Sequence, residues 1–504
     1  MTFQEILRAR NLEHILFTEE FDTPPIPRLF HTVDMIKGIV EQNRKTLLIT
    51  DPDPDGLMSM LEMRDTFRYI GFTNFECYRF DTRSHTLNRN AVTYAIREGF
   101  ESVIIFDTAS NDLGLLDILD AHNIQSIVID HHMTENRYHN YPLNCNVFNS
   151  QVENILRGAN LACSAGALTY LICNEFLGQK GIKRNNLSAY ALVTLYSDVM
   201  PMNNPINRAI YMCAVGMDET TLPPCIRTFL NDYTVFSRRF IIFRFTNKIN
   251  SLFRAERFDL INRFFLDEEF KESFAILNQI ENVYNESRAL ITRVTDLIRP
   301  RVMKNFVIAN LNALSDFVDV QYSKLYNYTG LIANELSDRY GKPAIVLCNY
   351  SLHIKGSFRD TLSRDFLKTF QTFSNSNGHR SAFGIHIPKN DLSQFTKYLE
   401  ILDKKDLNIT GGNKPLIIKS SLLTREDVFD MAFYNEFAGN DLPVALIELP
   451  SDAVFTPKYN KYYKMYEWKN YLIKSSKEIR YRTRVLVKPE MGARVTLYFY
   501  DDLR

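Results

Sequence analysis

No Cys-x-x-Cys pair occurs in this 504-residue chain. Its seven cysteines, Cys77, Cys145, Cys163, Cys173, Cys213, Cys225 and Cys348, are scattered and odd in number. That usage argues against a disulfide framework and for a reduced, cytoplasmic protein. No apolar run approaches the roughly 20 residues needed to cross a bilayer. The opening stretch Met1 to Arg10 carries charges through its apolar positions, unlike a signal peptide. Neither secretion nor membrane insertion is expected. Net charge is missing as well, because 59 Lys and Arg balance 59 Asp and Glu. Any attraction to nucleic acid must therefore come from local patches. Internal repeats and low-complexity tracts are absent. What remains, 45% apolar and 23% charged residues, is the composition of a packed globular enzyme. The length suggests roughly two to four domains.

Against this background three short apolar runs end in acid. Thr46-Leu-Leu-Ile-Thr50 leads straight into Asp51-Pro52-Asp53-Pro54-Asp55-Gly56, Ser102-Val-Ile-Ile-Phe106 ends at Asp107, and Ser126-Ile-Val-Ile129 ends at Asp130-His131-His132. Such runs read as buried strands, and open α/β sheets build their sites outside the carboxyl ends of strands. One Asp in such a place is explained by helix capping or turn formation. The set is not. Asp51, Asp53 and Asp55 on one loop repel unless a cation sits among them. With Asp107, Asp130, His131 and His132 they form a hard-oxygen set with one or two imidazoles, suited to Mn²⁺ or Mg²⁺ rather than structural zinc. A fourth apolar element, Leu192 to Ser197, ends in another acid, Asp198; by itself it reads equally as a ligand or as a surface residue at a helix end.

The pattern along the chain predicts an α/β protein in five parts. Residues 1–45 form a helical lead-in broken by Pro24-Pro25-Ile26-Pro27. Residues 46–235 alternate strands with helices (Leu57 to Ile70, Asn88 to Arg97, Gly114 to His122, Ala162 to Phe176, Leu187 to Asp198), which reads as a mostly parallel sheet covered on both faces. Residues 236–303 form a helical connector. Within it, 270–298 lacks Gly and Pro and repeats apolar residues at helical spacing, giving a long bridging helix. Residues 304–405 form a smaller α/β domain, with helices over Leu331 to Tyr340 and Thr361 to Phe373 and strands over Phe306 to Leu311, Ala344 to Cys348, Leu352 to Ser357 and Phe383 to Ile387. Residues 406–504 form a β-rich, OB-like module with strands over Val444 to Leu449, Tyr481 to Val487 and Arg494 to Tyr500.

Asp-x-Asp-x-Asp-Gly, then Asp107, then Asp-His-His, then Asp198: this series resembles the DHH phosphoesterase superfamily, and within it the RecJ-like branch of single-strand DNA exonucleases. Motif I begins Asp51-x-Asp53, as in that branch, where the small-substrate members carry a spaced His. Asn207-Arg208, Lys248-Ile-Asn250 with Arg254, and Asn285-Glu286-Ser-Arg288 look like further landmarks. The second domain resembles the DHH-associated domain through Tyr328-Thr-Gly330, Tyr340-Gly-Lys-Pro343, Lys355-Gly356-Ser357-x-Arg359 and Asn377-Gly378-His379. The resemblance runs from near the N-terminus to about residue 400. Departures are Tyr328 for the family's His, Asn377 for Gly, Phe383 for Ala, and Thr108-Ala109 for Cys-Gly.

The resemblance implies a metal-dependent phosphodiesterase, a 5′-to-3′ exonuclease that releases mononucleotides from single-stranded DNA, or RNA, by attack of metal-bound water. It implies that Asp53, Asp55, Asp107, His131 and Asp198 ligate one or two Mn²⁺ or Mg²⁺ ions, with Asp107 bridging. Asp51 ligates or orients, Asp130 fixes an imidazole tautomer, and His132 faces the scissile phosphate. Arg83 and His85 contact the strand. Arg359 forks onto a phosphate, and Gly378 and His379 approach the product nucleotide. It further implies service in DNA repair and recombination, with a single-strand-binding protein or a helicase as candidate partners. Oligomeric state stays open. In the C-terminal part, Lys464, Trp468, Lys469 and Tyr471 belong to a basic run interleaved with aromatics, the composition of a single-strand platform. A solvated basic face over a tyrosine-rich β core explains that run equally well. Two other readings are a nanoRNase or small-nucleotide phosphodiesterase on the same two lobes, and a non-catalytic replication scaffold.

Overall fold

Strands built of unbroken apolar residues need cover on both faces, and the first sheet obtains it on one face from helices that are almost wholly buried and on the other from the half-exposed helices Arg89–Arg97 and Leu113–Ala121. The computed structural model describes residues 3–16, 26–182, 186–215, 217–230, 235–267, 274–314, 322–360, 366–371, 374–379, 381–404, 415–438, 442–458, 464–475, 479, 484–491 and 495–503. They fall into two units. Unit 1 comprises Met1–Phe253, Phe258–Asn278 and Lys414–Arg504, and unit 2 comprises Arg254–Arg257 and Gln279–Asn413.

Unit 1 opens with helix α1 (Pro27–Glu41), strand β1 (Thr46–Thr50) and helix α2 (Pro54–Tyr69). Strands β2 (Phe75–Cys77), β3 (Ser102–Phe106), β4 (Gln125–Asp130) and β5 (Cys145–Asn149) follow, then helices α3 (Ala165–Gly178) and α4 (Leu187–Ser197). The sheet order is β2-β1-β3-β4-β5, parallel throughout. Helix α2 packs against β1, α3 and α4. Being enclosed on all sides, it buries even Asp55, Glu62 and Arg64. An amphipathic pattern is absent because no face of it meets solvent before Arg68 and Tyr69 at its C-terminal end. Helix α3 approaches α4 closely at Gly166, where a Cβ would fall 2.4 Å from a Thr194 side-chain carbon.

Unit 2 contains most of helix α5 (Phe274–Leu297) and strands β6 (Arg301–Val302) and β7 (Val307–Asn310). Helix α6 (Thr329–Tyr340) precedes strands β8 (Ala344–Tyr350), β9 (His353–Arg359), β10 (Asn375–His379) and β11 (Ala382–Pro388). Their sheet runs β10-β11-β9-β8-β7-β6. One of its faces packs on α6 through Val346 and Cys348; the other builds a second core around Phe358, Phe370 and Phe383.

The chain then returns to unit 1 with β12 (Leu416–Lys419), helix α7 (Arg425–Phe437), β13 (Ala445–Leu449), β14 (Thr456–Lys458), β15 (Lys464–Trp468), β16 (Tyr471–Ser475), β17 (Arg484–Glu490) and β18 (Thr496–Leu503). This is the expected β-rich region. Strands β14 to β16 meander, and β18 inserts between β16 and β17, parallel to the first. That is a Greek-key arrangement of the OB-like kind, extended beyond β17 by β13 and β12. It is tied to the first sheet's helices. The Tyr196 hydroxyl on α4 donates to the Glu436 carbonyl on α7 (2.9 Å), and Arg238 donates to the Asn435 carbonyl (2.7 Å).

Several boundaries shift from the sequence reading. The long helix is described from Phe274; 270–273 lie outside the described residues. The helix expected over Thr361 to Phe373 is described only at Leu367–Gln371, since 361–365 and 372–373 fall outside. Strands β2 and β5 escaped notice because β2 is only Phe-Glu-Cys and asparagines interrupt the apolar run of β5. No helix among the described residues is long and apolar enough to cross a membrane.

The tight α3–α4 approach is testable. Gly166→Ala is expected to lower the unfolding free energy by about 1–3 kcal/mol in a urea titration. Gly114→Ala, where a Cβ meets nothing within 4 Å, should be neutral or slightly stabilising.

Candidate metal centre and active site

In the parallel sheet Thr50 lies opposite Phe106, and Phe106 opposite Ile129. The next residues, Asp51, Asp107 and Asp130, therefore leave β1, β3 and β4 in one row. The strand order reverses between β1 and β3, which is where an open α/β sheet leaves a crevice. Asp53 caps α2, its Oδ1 accepting the Gly56 N–H at 2.9 Å, and Asp55 stands in the first turn. Only glycine fits at 56, because a Cβ there would lie 2.5 Å from the Asp51 carbonyl oxygen. Asp198 arrives from the other side, at the C-terminal end of α4. Backbone strain brackets the site: Asp107 has φ +59° and Val199, directly after Asp198, has φ +53°. For a β-branched residue that is an outlier of the kind held in place only where the surroundings demand it.

The side chains converge. His131 Nε2 lies 3.2 Å from Asp107 Oδ1, 3.2 Å from Asp198 Oδ2 and 3.5 Å from Asp55 Oδ2. Three groups bring ligand atoms within 4.8 Å of one another: Asp51, Asp53 and Asp107; Asp107, His131 and His132; and Asp55, His131 and Asp198. Asp107 belongs to two of them. All of the residues read from the sequence as metal ligands are thus brought together.

The electrostatics show what the cluster lacks. Burial, then the neighbouring Asp51, Asp198 and Asp55, push the Asp53 carboxyl up to about 8. Burial and Asp198 push Asp55 up to about 7, although His131 and two backbone amides pull the other way. Asp107 is raised well above the carboxylate range by burial and by Asp55 and Asp53. Both Asp107 oxygens, Asp51 Oδ1 and His131 Nε2 are buried without a hydrogen-bond partner, a condition native structures seldom leave unanswered. Divalent cations fit: hard oxygens and imidazole nitrogen converge, and the missing positive charge is what the carboxylates need to ionise.

Residues 45–196 match the model of the DHH family, N-terminal domain. The chain is thus similar to that family over residues 45–196. It is 23% identical over 408 residues, 71% of this chain and 68% of the relative, to the SPbeta prophage-derived protein YorK of Bacillus subtilis, named for an inferred single-strand DNA-specific exonuclease activity. In fold the chain is RecJ-like. The structure of RecJ from Thermus thermophilus in complex with Mn²⁺ superposes with a TM-score of 0.74 at 15% identity, over 99% of this chain and 75% of that one. The Mg²⁺ complex of RecJ from the same organism gives 0.68 at 14%, over 99% and 74%.

Several supports within residues 45–196 carry no clear signal in the sequence. The N-terminus of α3 grips Asp55, with Ala165 N–H donating to Oδ2 (3.0 Å) and Gly166 N–H to Oδ1 (2.9 Å). The Ser164 N-cap followed by a glycine was the available signal. Asp130 Oδ1 accepts from the His131 and His132 backbone N–H groups (2.7 and 3.1 Å) and pairs with His132 Nδ1 at 2.8 Å. Burial opposes ionisation of Asp130, but the His132 and His131 charges and these hydrogen bonds hold it well below the carboxylate range. Asn149 Nδ2 donates to Ser110 Oγ (2.9 Å) and to the His132 carbonyl (3.1 Å), locking the two loops together. His85, expected as a contact to the strand, pairs with Asp51 Oδ2 through Nδ1 (2.9 Å), with its imidazole 60% exposed. Arg83 is half-buried on the same loop.

In unit 2 Arg359 passes over the first turn of α6, where a Cβ on Gly330 would lie 2.6 Å from Nη2. Burial lowers its guanidinium to about 10. Gly378 has φ +139°, and a Cβ there would meet the Ala382 carbonyl oxygen at 2.8 Å, so no other residue fits. His379 lies on β10; its side chain is outside the described part. Two of the departures turn inward: Phe383 stacks on Phe358 (4.5 Å, 5°) and Tyr328 is buried in the α6 core. In the C-terminal sheet Lys464 and Lys469 are exposed and Tyr471 is half-buried. Trp468, read as part of a stacking platform, is 8% exposed. Its indole closes the β15–β16 hairpin and offers no open face.

Raised carboxylates make the metal-free fold pH-sensitive in a definite direction. Asp53 and Asp55, at about 8 and 7 against 3.8, bind more protons folded than unfolded, so their contribution is full below about pH 4 and lost as pH rises to about 8. Thermal unfolding in EDTA should give a lower Tm at pH 8 than at pH 5.5, with Mn²⁺ raising Tm more at the higher pH. Asp107→Asn should raise the metal-free Tm at alkaline pH, because it removes a buried carboxyl crowded by Asp55 and Asp53, and should abolish the Mn²⁺ response.

Proposed function

We propose that this chain is a divalent-cation-dependent phosphodiesterase, a 5′-to-3′ exonuclease that releases mononucleotides from single-stranded DNA. The observation that carries the reading is the convergence of Asp53, Asp55, Asp107, His131 and Asp198 with buried oxygens left unpartnered. The name of YorK supports the single-strand DNA substrate. These residues would hold one or two Mn²⁺ or Mg²⁺ ions. When bound, such ions activate water for in-line attack and neutralise charge on the phosphate oxygens.

The chain's own groups do the rest. Asp130 occupies Nδ1 of His132 and so fixes the ring with Nε2 free to meet a phosphate oxygen. Burial works against charging His132, but Asp130 outweighs it and pushes the imidazole up to about 10 in the metal-free site. Asp51 orients the exposed His85 on the adjoining loop. In unit 2 the Arg359 fork over the α6 N-terminus offers a phosphate both a planar cation and helix N–H groups.

The test is a Mn²⁺ titration on 5′-labelled and 3′-labelled oligonucleotides, single-stranded and duplex. Labelled mononucleotide should appear at once from the 5′-labelled single strand and late from the 3′-labelled one. Asp107→Ala should lose at least about a hundredfold in rate, and Arg359→Lys should raise KM about tenfold. Full activity in Asp107→Ala would sink the metal mechanism. Preference for dinucleotides over long strands would make the enzyme a small-nucleotide phosphodiesterase.

A further inference from the structure

The face of the unit 2 sheet that bears Arg359 does not end there. Side chains alternate along a strand, so His353, Lys355, Ser357 and Arg359 of β9 project from one side, while Ile354 and Phe358 enter the core on the other. The register carries this face across the neighbours: Tyr350 lies opposite His353, and His386 opposite Lys355. No position of this face on β8 to β11 is Asp or Glu. Helix α6 covers its β7–β8 side through Val346 and Cys348 and reaches β9 at Ser357 and Arg359, with Thr329 Oγ1 2.9 Å from Ser357 Oγ.

Beyond that cover the residues are basic and aromatic. The Lys355 ammonium stands 3.7 Å from the Tyr350 ring centroid and 5.2 Å from that of Tyr326, and the two rings meet edge to face at 4.5 Å. Beside them the His353 and His386 rings pack 4.5 Å apart. His353 Nδ1 and His386 Nε2 are shielded from water and accept or donate no hydrogen bond. Burial, His353 and Lys355 together hold His386 below its usual value, so the positive potential here favours an anion over a metal ion. Tyr350 is exposed, while Lys355, His353, His386 and Tyr326 are each partly open to solvent.

We propose that Lys355, His353, His386 and the Tyr350–Tyr326 pair form a second nucleotide subsite, which binds a phosphate and stacks a base of the same single strand whose other phosphate lies on Arg359. The inference rests on the nuclease reading and adds to it a sense of strand length. Four residues of extended chain place Lys355 about 13 Å from Arg359 along β9, too far for one phosphate to touch both. A strand of several nucleotides would engage both positions, and a dinucleotide only the first. A cation for the phosphate and rings for the base are the two components of sequence-tolerant single-strand binding.

The test compares the full chain with Lys355→Ala and with Tyr350→Ala, on a dinucleotide and on a 12-mer single strand in Mn²⁺. Each variant should lower the ratio of kcat/KM for the 12-mer to that for the dinucleotide about tenfold, through KM rather than kcat. In EDTA, where no hydrolysis occurs, fluorescence anisotropy with the labelled 12-mer should show a matching loss of affinity. For Lys355→Ala the salt dependence of that affinity should fall by about one counterion. Lys355→Arg should restore 12-mer binding if charge is what matters. An unchanged ratio, or equal losses on both substrates, would overturn the subsite. A wild-type chain inert towards both substrates would instead sink the nuclease reading. The anisotropy comparison would then still decide whether this face holds a strand.

Discussion

Four carboxylates cannot share a dry crevice without a positive charge among them, and most of unit 1 is arranged to make them do so. The row at the ends of β1, β3 and β4 contains two opposite solutions to that repulsion. Asp130 is neutralised from within by two backbone amides and the His132 ring. Asp107, its neighbour in the same row, receives no hydrogen bond at either oxygen. One acid holds the scaffold, and the other is left able to hold a cation. Helix α2 is buried all round because it must carry Asp53 and Asp55 into this crevice, and the α3 N-terminus lends Asp55 just enough partial positive charge to orient it.

Much of this centre was legible in the sequence because each candidate ligand lies within a few residues of the end of an apolar strand, or of the helix α4. Periodicity locates such elements, and the acid or imidazole near their ends needs no tertiary information. What resisted reading was everything that acts across the chain. The Ala165 and Gly166 amides, Ser110 and Asn149 lie far in sequence from the carboxylates and loops they hold. Their residue types are common at any helix start or turn. His85 was legible as a polar loop residue, but its contact with Asp51 depends on how that loop folds back.

Composition misled where burial decides. Trp468 sits in a basic, tyrosine-rich stretch that suits a stacking platform, yet the hairpin turns its indole inward. Phe383 and Tyr328, which depart from the family pattern, also point into cores rather than towards Arg359. Alternation along β11 would have placed Phe383 on the opposite face from Arg359, since Ala382 and Gly384 flank it on the strand. The conformation required of Gly378 likewise follows from its backbone alone.

The bond from Tyr196 to the Glu436 carbonyl bears on how the chain can be divided. Tyr196 stands two residues before Asp198 on the last turn of α4, and Glu436 belongs to α7, which is itself pinned to β13 and β17 by Asn435. The terminal β-rich segment is therefore part of the mounting of a candidate metal ligand. It is not an accessory that a shorter ancestor could gain or a trimmed enzyme could lose without retuning its active site. Variation in length within such a lineage should fall in surface loops of this segment, and spare the helix and strands that reach back to α4.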